Sequence, residues 1–315
     1  MDKKNLIINK LENLKEIYAQ NEDKKWNLRA LSIAINSIKK YTGIIISGDQ
    51  LKNELKGVGE KISKRVDEIL ETGNLKELDI LNKEDNLENL VSITGVGNIR
   101  AKKWLSLNIN NINDVKNAIK EKKITSTHHI DIGIKYYDDF KKKIPKSEID
   151  EIKSYLKNVI LKIDNNLLFE ICGSYRRGAI ESGDIDILIS HKNYLKNNIL
   201  KNIVNILTKN NFIIDNLTSK GNTKFMGVCK INEIARRIDI RVVDYSSYYS
   251  SLLYFTGNKN FNIYLRNKAL DNNFSLSEYF LKDLNSEKEI FLNSEKEIFD
   301  ILKISYLKPE ERNIE

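Results

Sequence analysis

Three aspartates stand where acidic side chains are costly unless something offsets them. Asp184 and Asp186 flank Ile185 in the run Ser182-Gly183-Asp184-Ile185-Asp186-Ile187-Leu188-Ile189, and Asp239 lies in Arg236-Arg237-Ile238-Asp239-Ile240-Arg241-Val242-Val243. A strand alternates faces, so Asp184 and Asp186 project together while Ile185, Ile187 and Ile189 pack inward. Two anions on one face repel, and carboxylates are the hard oxygen ligands that Mg²⁺ prefers. Two ions held by three carboxylates suit in-line phosphoryl transfer: one lowers the pKa of an attacking hydroxyl, the other holds a triphosphate and its leaving group. Just upstream, Gly173-Ser174-Tyr175-Arg176-Arg177-Gly178 places Ser174, Arg177 and the Gly183 amide to bind phosphate oxygens, where charge accumulates in the transition state. Asp239 taken alone is equally compatible with a solvated strand face.

A second pattern occurs twice. Gly57-Val58-Gly59 and Gly95-Val96-Gly97 each precede a basic stretch, with Lys61, Lys64 and Arg65 after the first and Arg100, Lys102 and Lys103 after the second. Paired glycines let the backbone turn tightly and expose amides at a helix start, a geometry that cradles a phosphate oxygen. One copy would pass for an ordinary turn. Two copies with the same basic sequel are similar to helix-hairpin-helix motifs, which grip the DNA backbone without reading sequence.

The elements that position these residues follow from periodicity. Apolar residues recur at helical spacing from about residue 6 to 71, for example Leu28, Leu31, Ile35 and Ile38, and a second helical stretch runs from about 87 to 143. After Pro145 the pattern predicts a helix over 146–162, then short strands over 167–172, 185–190 and 237–243, so the second half reads as α+β. From Ser246 onward helices are expected again. The octapeptide Leu-Asn-Ser-Glu-Lys-Glu-Ile-Phe occurs twice in tandem, over 284–291 and 292–299, and reads as a local duplication of a surface loop.

Composition narrows the class. With 315 residues, 41% hydrophobic and 30% charged, and only two prolines, the chain is expected to fold into several helix-rich units. A net charge of +8 favours a polyanionic partner. Cys172 and Cys229 are too few and too far apart for a disulfide framework or a zinc site, which fits a reducing compartment. Residues 1–10 are charged and no 18-residue apolar run occurs, so a soluble, intracellular, unanchored protein is expected.

Taken together the motifs resemble the family X DNA polymerases, most closely the beta type. The resemblance rests on the Gly173–Gly178 and Gly183–Asp186 unit, the Arg236–Arg241 strand and Leu253-Tyr254-Phe255-Thr256-Gly257. It extends to His128-His129, to Gly133–Tyr137, to Ser219–Cys229 and to Lys308–Arg312, and so covers nearly the whole chain. It implies a helical lyase-like domain over 1–82 and a second helix-hairpin-helix subdomain over 83–145. A palm over 146–244, with a nucleotidyltransferase-type sheet, and a nucleotide-binding subdomain over 245–315 would follow. The implied activity is template-directed gap filling in base-excision repair, with two Mg²⁺ (or Mn²⁺) on the three aspartates and a monovalent cation at each helix-hairpin-helix. Gapped or nicked DNA and deoxynucleoside triphosphates are the implied partners, met by a monomer with no membrane attachment.

The resemblance assigns Tyr254 and Phe255 to the incoming sugar, with Gly257 completing their turn, Asn262 to the base and Arg266 to the template. Lys224, Arg237 and Arg241 would serve the primer–template backbone or organise the metal site. Lys143 replaces an arginine near the triphosphate, and Lys259 stands where an acidic residue is common. Arg65 replaces the lysine that serves as lyase nucleophile, and a guanidinium stays protonated at any working pH. Lys64 or Lys61 would have to substitute, while Lys61 keeps a 5′-phosphate contact. Asn27 and Leu31 likewise depart from the polar pocket of the family. Two other readings remain: a nucleotidyltransferase that extends ends without a template, and a non-catalytic gap-binding protein.

Overall fold

The computed structural model describes residues 3–19, 22–192, 198–218 and 221–314. Met1, in the charged amino-terminal stretch, and Ser219 and Lys220, in one of the recognised motifs, lie outside the described residues. Two compact units emerge: Met1–Ser92 with Val96–Lys123, and Ile93–Gly95 with Ile124–Glu315.

The first unit is helical: α1 (Lys3–Ala19), α2 (Lys25–Lys40), α3 (Gly48–Glu54), α4 (Glu60–Thr72), α5 (Lys76–Val91), α6 (Asn98–Ser106) and α7 (Ile112–Lys120). Its core gathers Ile7, Leu11 and Leu14 of α1, Leu31, Ile35 and Ile38 of α2, and Ile62, Val66 and Ile69 of α4. These are i, i+3/i+4 and i+7 spacings, so each helix buries one stripe. Both Gly-Val-Gly turns take one form. Gly57 and Gly95 adopt left-handed φ of 92° and 88°, where a side chain would be strained. Val58 and Val96 are buried, and Gly59 and Gly97 precede α4 and α6 with no side-chain cap. Neither helix start is closed by a side-chain cap, the arrangement in which first-turn amides can meet an anion.

The second unit begins with α8 (His128–Lys135), α9 (Tyr137–Phe140), β1 (Ile144–Pro145), α10 (Lys146–Ile163), β2 (Leu167–Ile171), α11 (Gly173–Arg176), β3 (Glu181–Ser182) and β4 (Ile185–His191). Next come α12 (Ile199–Lys209), β5 (Ile213–Asn216), β6 (Lys224–Cys229) and β7 (Arg236–Val242). The chain continues with α13 (Tyr248–Thr256), α14 (Lys259–Asp271), β8 (Phe274–Leu276), β9 (Leu281–Asp283), β10 (Glu289–Ile290) and α15 (Glu295–Ile301). Five strands form one mixed sheet in the order β2-β4-β7-β6-β5, in which only β4 and β7 run parallel. One face packs α10 and α12 over Ile185, Ile187, Ile189, Ile238, Ile240 and Val242. The α+β expectation therefore holds, with the helix over 146–163 and the strands within one residue or so of the expected bounds.

Several expectations are corrected. Strand β4 is buried on both faces beyond Asp186, a feature the alternation did not indicate: Leu188 and Ser190, opposite the isoleucines, are also buried, because Leu188 packs with Tyr248 and Leu252 of α13. Helices alone do not fill the last seventy residues, since β8, β9 and β10 form an antiparallel sheet between α14 and α15. The duplicated octapeptide is a surface segment only in its first copy, a turn leading into β10 with Leu284 and Phe291 exposed. The second copy caps and builds α15. Ser294 accepts from the Glu297 amide, and Leu292, Ile298 and Phe299 are buried. Arg65 does not add to a basic surface. It points into the first unit, where its guanidinium donates to Glu77 at 2.8 and 2.9 Å and to the Tyr18 hydroxyl at 3.0 Å.

Candidate active site

Parallel pairing brings the acidic residues together. Asp186 and Asp239 are register partners on adjacent central strands, and in-register neighbours share a face. Along β7 the alternation is complete: Arg236, Ile238, Ile240 and Val242 are buried, while Arg237, Asp239 and Arg241 share the opposite, half-exposed face. Asp184 is not on the strand as expected but in the bend before it. Its carboxylate is held by the Arg237 guanidinium.

The electrostatics show how costly this grouping is. Burial, with Asp184 and Asp239 adding to it, pushes the Asp186 carboxyl up to about 7, against the pull of Arg237 and Arg177. Burial and then Asp184 raise Asp239 as well, opposed by Arg237, Lys224 and Arg241. The Gly173 backbone crowds the same spot. Gly173 sits at φ 60° so close to Asp186 that a Cβ there would strike its Oδ2. The donor set suits a hard divalent cation. Among the described residues, however, no three acidic, imidazole or thiolate side chains are grouped to hold one ion as they stand. Arg237 occupies Oδ2 of Asp184, so a cation engaging all three carboxylates has to use Oδ1 or displace the guanidinium.

Asp184 and Asp186 open onto a cleft of about 560 Å³, while Asp239, beside Asp186 on β7, is not among its lining residues. Asp184 and Asp186 line one wall with Gly173, Ser174 and Arg177; Tyr254, Phe255, Gly257, Asn262 and Arg266 line the other. Ser174 Oγ donates to Ser182 Oγ at 2.8 Å, which fixes α11 against β3. Arg177 donates through Nη1 to the Thr256 carbonyl at 2.6 Å and through Nε to Asn313 Oδ1 at 2.8 Å. Gly183, next to Asp184, has open space where a side chain would be. Asn262 Nδ2 donates to the Tyr254 carbonyl at 2.8 Å, so the polar edge of α14 holds the end of α13. The Arg266 guanidinium lies 5.2 Å from the Tyr254 ring and 3.6 Å from Glu278. Arg241 lies 5.3 Å from the Phe255 ring. The Gly257-Asn258 peptide is cis.

Some expected residues stand apart from the cleft. Lys143 is exposed just before β1 and is not among the cleft-lining residues. Lys224 faces Arg241 across β6 and β7. Gly57, Gly59 and the exposed Lys61 belong to the first unit. Lys64 is 75% exposed and lies 3.6 Å from Glu60.

Sequence reasoning missed the supports. Arg176 forks onto Glu295 at 3.0 and 2.6 Å and donates to Thr256 Oγ1 at 2.6 Å. Arg312 Nη1 reaches the same carboxylate at 2.8 Å. Glu295 lies in the duplicated segment, and its burial had no local signal apart from the Ser294 cap and apolar spacing that mark a helix start.

Comparison with known proteins places the arrangement. The DNA polymerase beta palm profile matches residues 143–245 and the DNA polymerase beta thumb profile 251–313. The profile for the fingers domain of DNA polymerase lambda matches 88–141, and a helix-hairpin-helix domain profile matches 2–75. A DNA polymerase lambda of Rattus norvegicus is 32% identical over 326 residues, covering 98% of this chain and 56% of the relative. Another from Arabidopsis thaliana is 29% identical, covering 89% of this chain and 57% of the relative. A DNA nucleotidylexotransferase of Xenopus laevis is 27% identical, covering 91% and 62%. The chain thus spans little more than half the length of these curated relatives. Four profiles in the order helix-hairpin-helix, fingers, palm and thumb leave only short gaps between them, and on that order and on the similarity to the lambda enzymes the chain belongs to the family X DNA polymerases.

Proposed function

We propose that this chain is a template-directed DNA polymerase that fills short gaps in DNA, as base-excision repair requires, by two-metal phosphoryl transfer. The observation that carries this is the in-register pair Asp186 and Asp239, of which Asp186, with Asp184, lines a cleft that Tyr254, Phe255, Asn262 and Arg266 also line. Asp184, Asp186 and Asp239 would hold Mg²⁺, or Mn²⁺ in its place, which would activate a primer 3′-hydroxyl and neutralise the triphosphate. Ser174, Arg177 and the Gly183 amide bind phosphate oxygens, and Lys143, outside the cleft lining, adds positive charge at longer range. Tyr254 and Phe255 close the sugar side against a 2′-hydroxyl, with Gly257 shaping their turn. Asn262 meets the base and Arg266 the template.

The two capless helix starts, at Gly57-Val58-Gly59 with Lys61 and at Gly95-Val96-Gly97, grip the DNA backbone, each with a monovalent cation. Lys224, Arg237 and Arg241 extend this contact along the primer. The four subdomains fall at 1–82, 83–145, 146–244 and 245–315, and the protein acts as a monomer inside the cell. Among the described residues no helix is long and apolar enough to cross a membrane. The test is extension of a primer across a one-nucleotide gap with each of the four templating bases. Incorporation that ignores the templating base would instead support the transferase reading, for which the Xenopus laevis similarity speaks. Tight gap binding without incorporation would leave a binding protein.

Lyase chemistry is absent from this proposal. A Schiff base needs a neutral amine, and the position that the family gives to lysine holds Arg65, buried and ion-paired with Glu77 at 2.7 Å. Lys64 sits 100° around the helix from it and is exposed beside Glu60. Borohydride trapping on an abasic substrate is expected to give no adduct with the wild type. An adduct that disappears in Lys64→Ala or Lys61→Ala would overturn this.

Metal affinity should depend on pH with a definite sign. The raised Asp186 carboxyl is largely protonated below about 7, so a divalent cation must expel a proton to bind there. Apparent Mg²⁺ affinity is expected to rise by up to about tenfold per pH unit toward pH 7, then flatten. The same shift means that, without a cation, ionising Asp186 weakens the fold: stability falls as pH rises from about 4 to 7 and is level above. Titrations of Mg²⁺ at pH 6, 7 and 8 decide it, and an affinity that does not change with pH would refute it.

A further inference from the structure

The segment 312–314 is laced to the turn that ends α13. Arg312 is fully buried and anchored by Nη1 to Glu295 at 2.8 Å and by Nε to the Leu307 carbonyl at 3.0 Å. From that anchor the Arg312 carbonyl accepts from the Asn258 amide at 3.3 Å. The Ile314 carbonyl accepts from Asn258 Nδ2 at 2.8 Å. Between them Asn313 is exposed, yet its side chain is committed: Nδ2 donates to the Glu310 carbonyl at 3.3 Å, and Oδ1 accepts from Arg177 Nε.

Arg177 is thus gripped at two points, Nε by Asn313 and Nη1 by the Thr256 carbonyl, at the edge of the cleft. Its Nη2 makes no hydrogen bond to any described residue. Both acceptors are neutral oxygens, so the grip orients the guanidinium without cancelling its charge. A long side chain fixed in this way pays less entropy when it binds an anion.

We infer that Asn313 is a positioning residue for triphosphate binding: it holds Arg177 in place so that the uncommitted edge of the guanidinium can meet a phosphate oxygen. This rests on Arg177 being a phosphate ligand, as proposed above. Asn313 itself touches no substrate and acts only through Arg177.

A double-mutant cycle separates the two claims. Dissociation constants for a deoxynucleoside triphosphate are measured on the full chain bound to a one-nucleotide gap with a dideoxy-terminated primer. The proteins are wild type, Asn313→Ala, Arg177→Ala and the double variant. Asn313→Ala is expected to weaken binding about fivefold, the scale of one ordinary hydrogen bond, because solvent at this exposed site reduces what a bond to a charged group would contribute. Arg177→Ala weakens it further, and adding Asn313→Ala to Arg177→Ala changes nothing more. A purely structural role for Asn313 would give the same factor in both backgrounds, and that result, or no effect of Asn313→Ala alone, overturns the inference. Wild-type affinity in Arg177→Ala would instead remove the phosphate role of Arg177 on which it rests.

Discussion

Asp239→Ala is expected to lower single-nucleotide gap filling by on the order of 10³-fold, the scale of losing a fixed electrostatic partner of the transition state. Asp239 is the register partner of Asp186, and its neighbour on the other side in β6 is Met226, which has no oxygen to offer. The loss should fall on kcat, because the residues proposed to hold DNA and nucleotide are untouched. The fold should gain rather than suffer. Asp239 is one of the charges that push the Asp186 carboxyl up, so removing it relieves repulsion among buried carboxylates. An inert protein that unfolds at a slightly higher temperature than the wild type is the expected combination. Extension within tenfold of wild type, or loss explained by unfolding, would sink the two-metal reading.

The carboxylate unit was legible because strand alternation is local: a period of two over Ile185–Ile189 and Ile238–Val242 assigns faces without knowledge of neighbours. That Asp239 stands beside Asp186 was not legible, since it depends on β4 and β7 pairing in parallel although two strands and a helix lie between them in sequence. Arg65 shows the opposite error. Charge on a helix after a glycine turn reads as surface, yet its stripe faces the core and Glu77 neutralises it. The plainest limit is the repeated octapeptide. Identical residues form a turn and short strand in one copy and a capped helix in the other. What differs lies outside the repeat. The second copy is followed by Asp300-Ile301-Leu302, whose Leu302 is buried and continues the apolar stripe. The first is followed by Leu292-Asn293-Ser294, which breaks it.

The same duplication supplies a matched pair of mutations. Glu295 is 7% exposed and is the shared counterion of Arg176 and Arg312. Arg312 is enclosed by the rings of Phe261, Phe299 and Tyr306 at 5.7, 5.5 and 5.7 Å, and its buried Nη2 has no hydrogen-bond partner among the described residues. Glu295→Ala would leave two guanidiniums uncompensated in a low-dielectric interior, a loss of about 3–5 kcal/mol. Glu287 occupies the equivalent place in the first copy but is exposed, so Glu287→Ala should stay within about 0.5 kcal/mol of wild type. Urea unfolding of the two variants therefore compares one residue type in one octapeptide, with only its local fold and tertiary surroundings changed. Any folded Glu295→Ala protein should also bind nucleotide poorly, because Arg176 holds Thr256 and the Thr256 carbonyl holds Arg177. Equal midpoints for the two variants would mean that the arginines find solvent or another acceptor when the carboxylate is gone, and that the network does not brace the cleft.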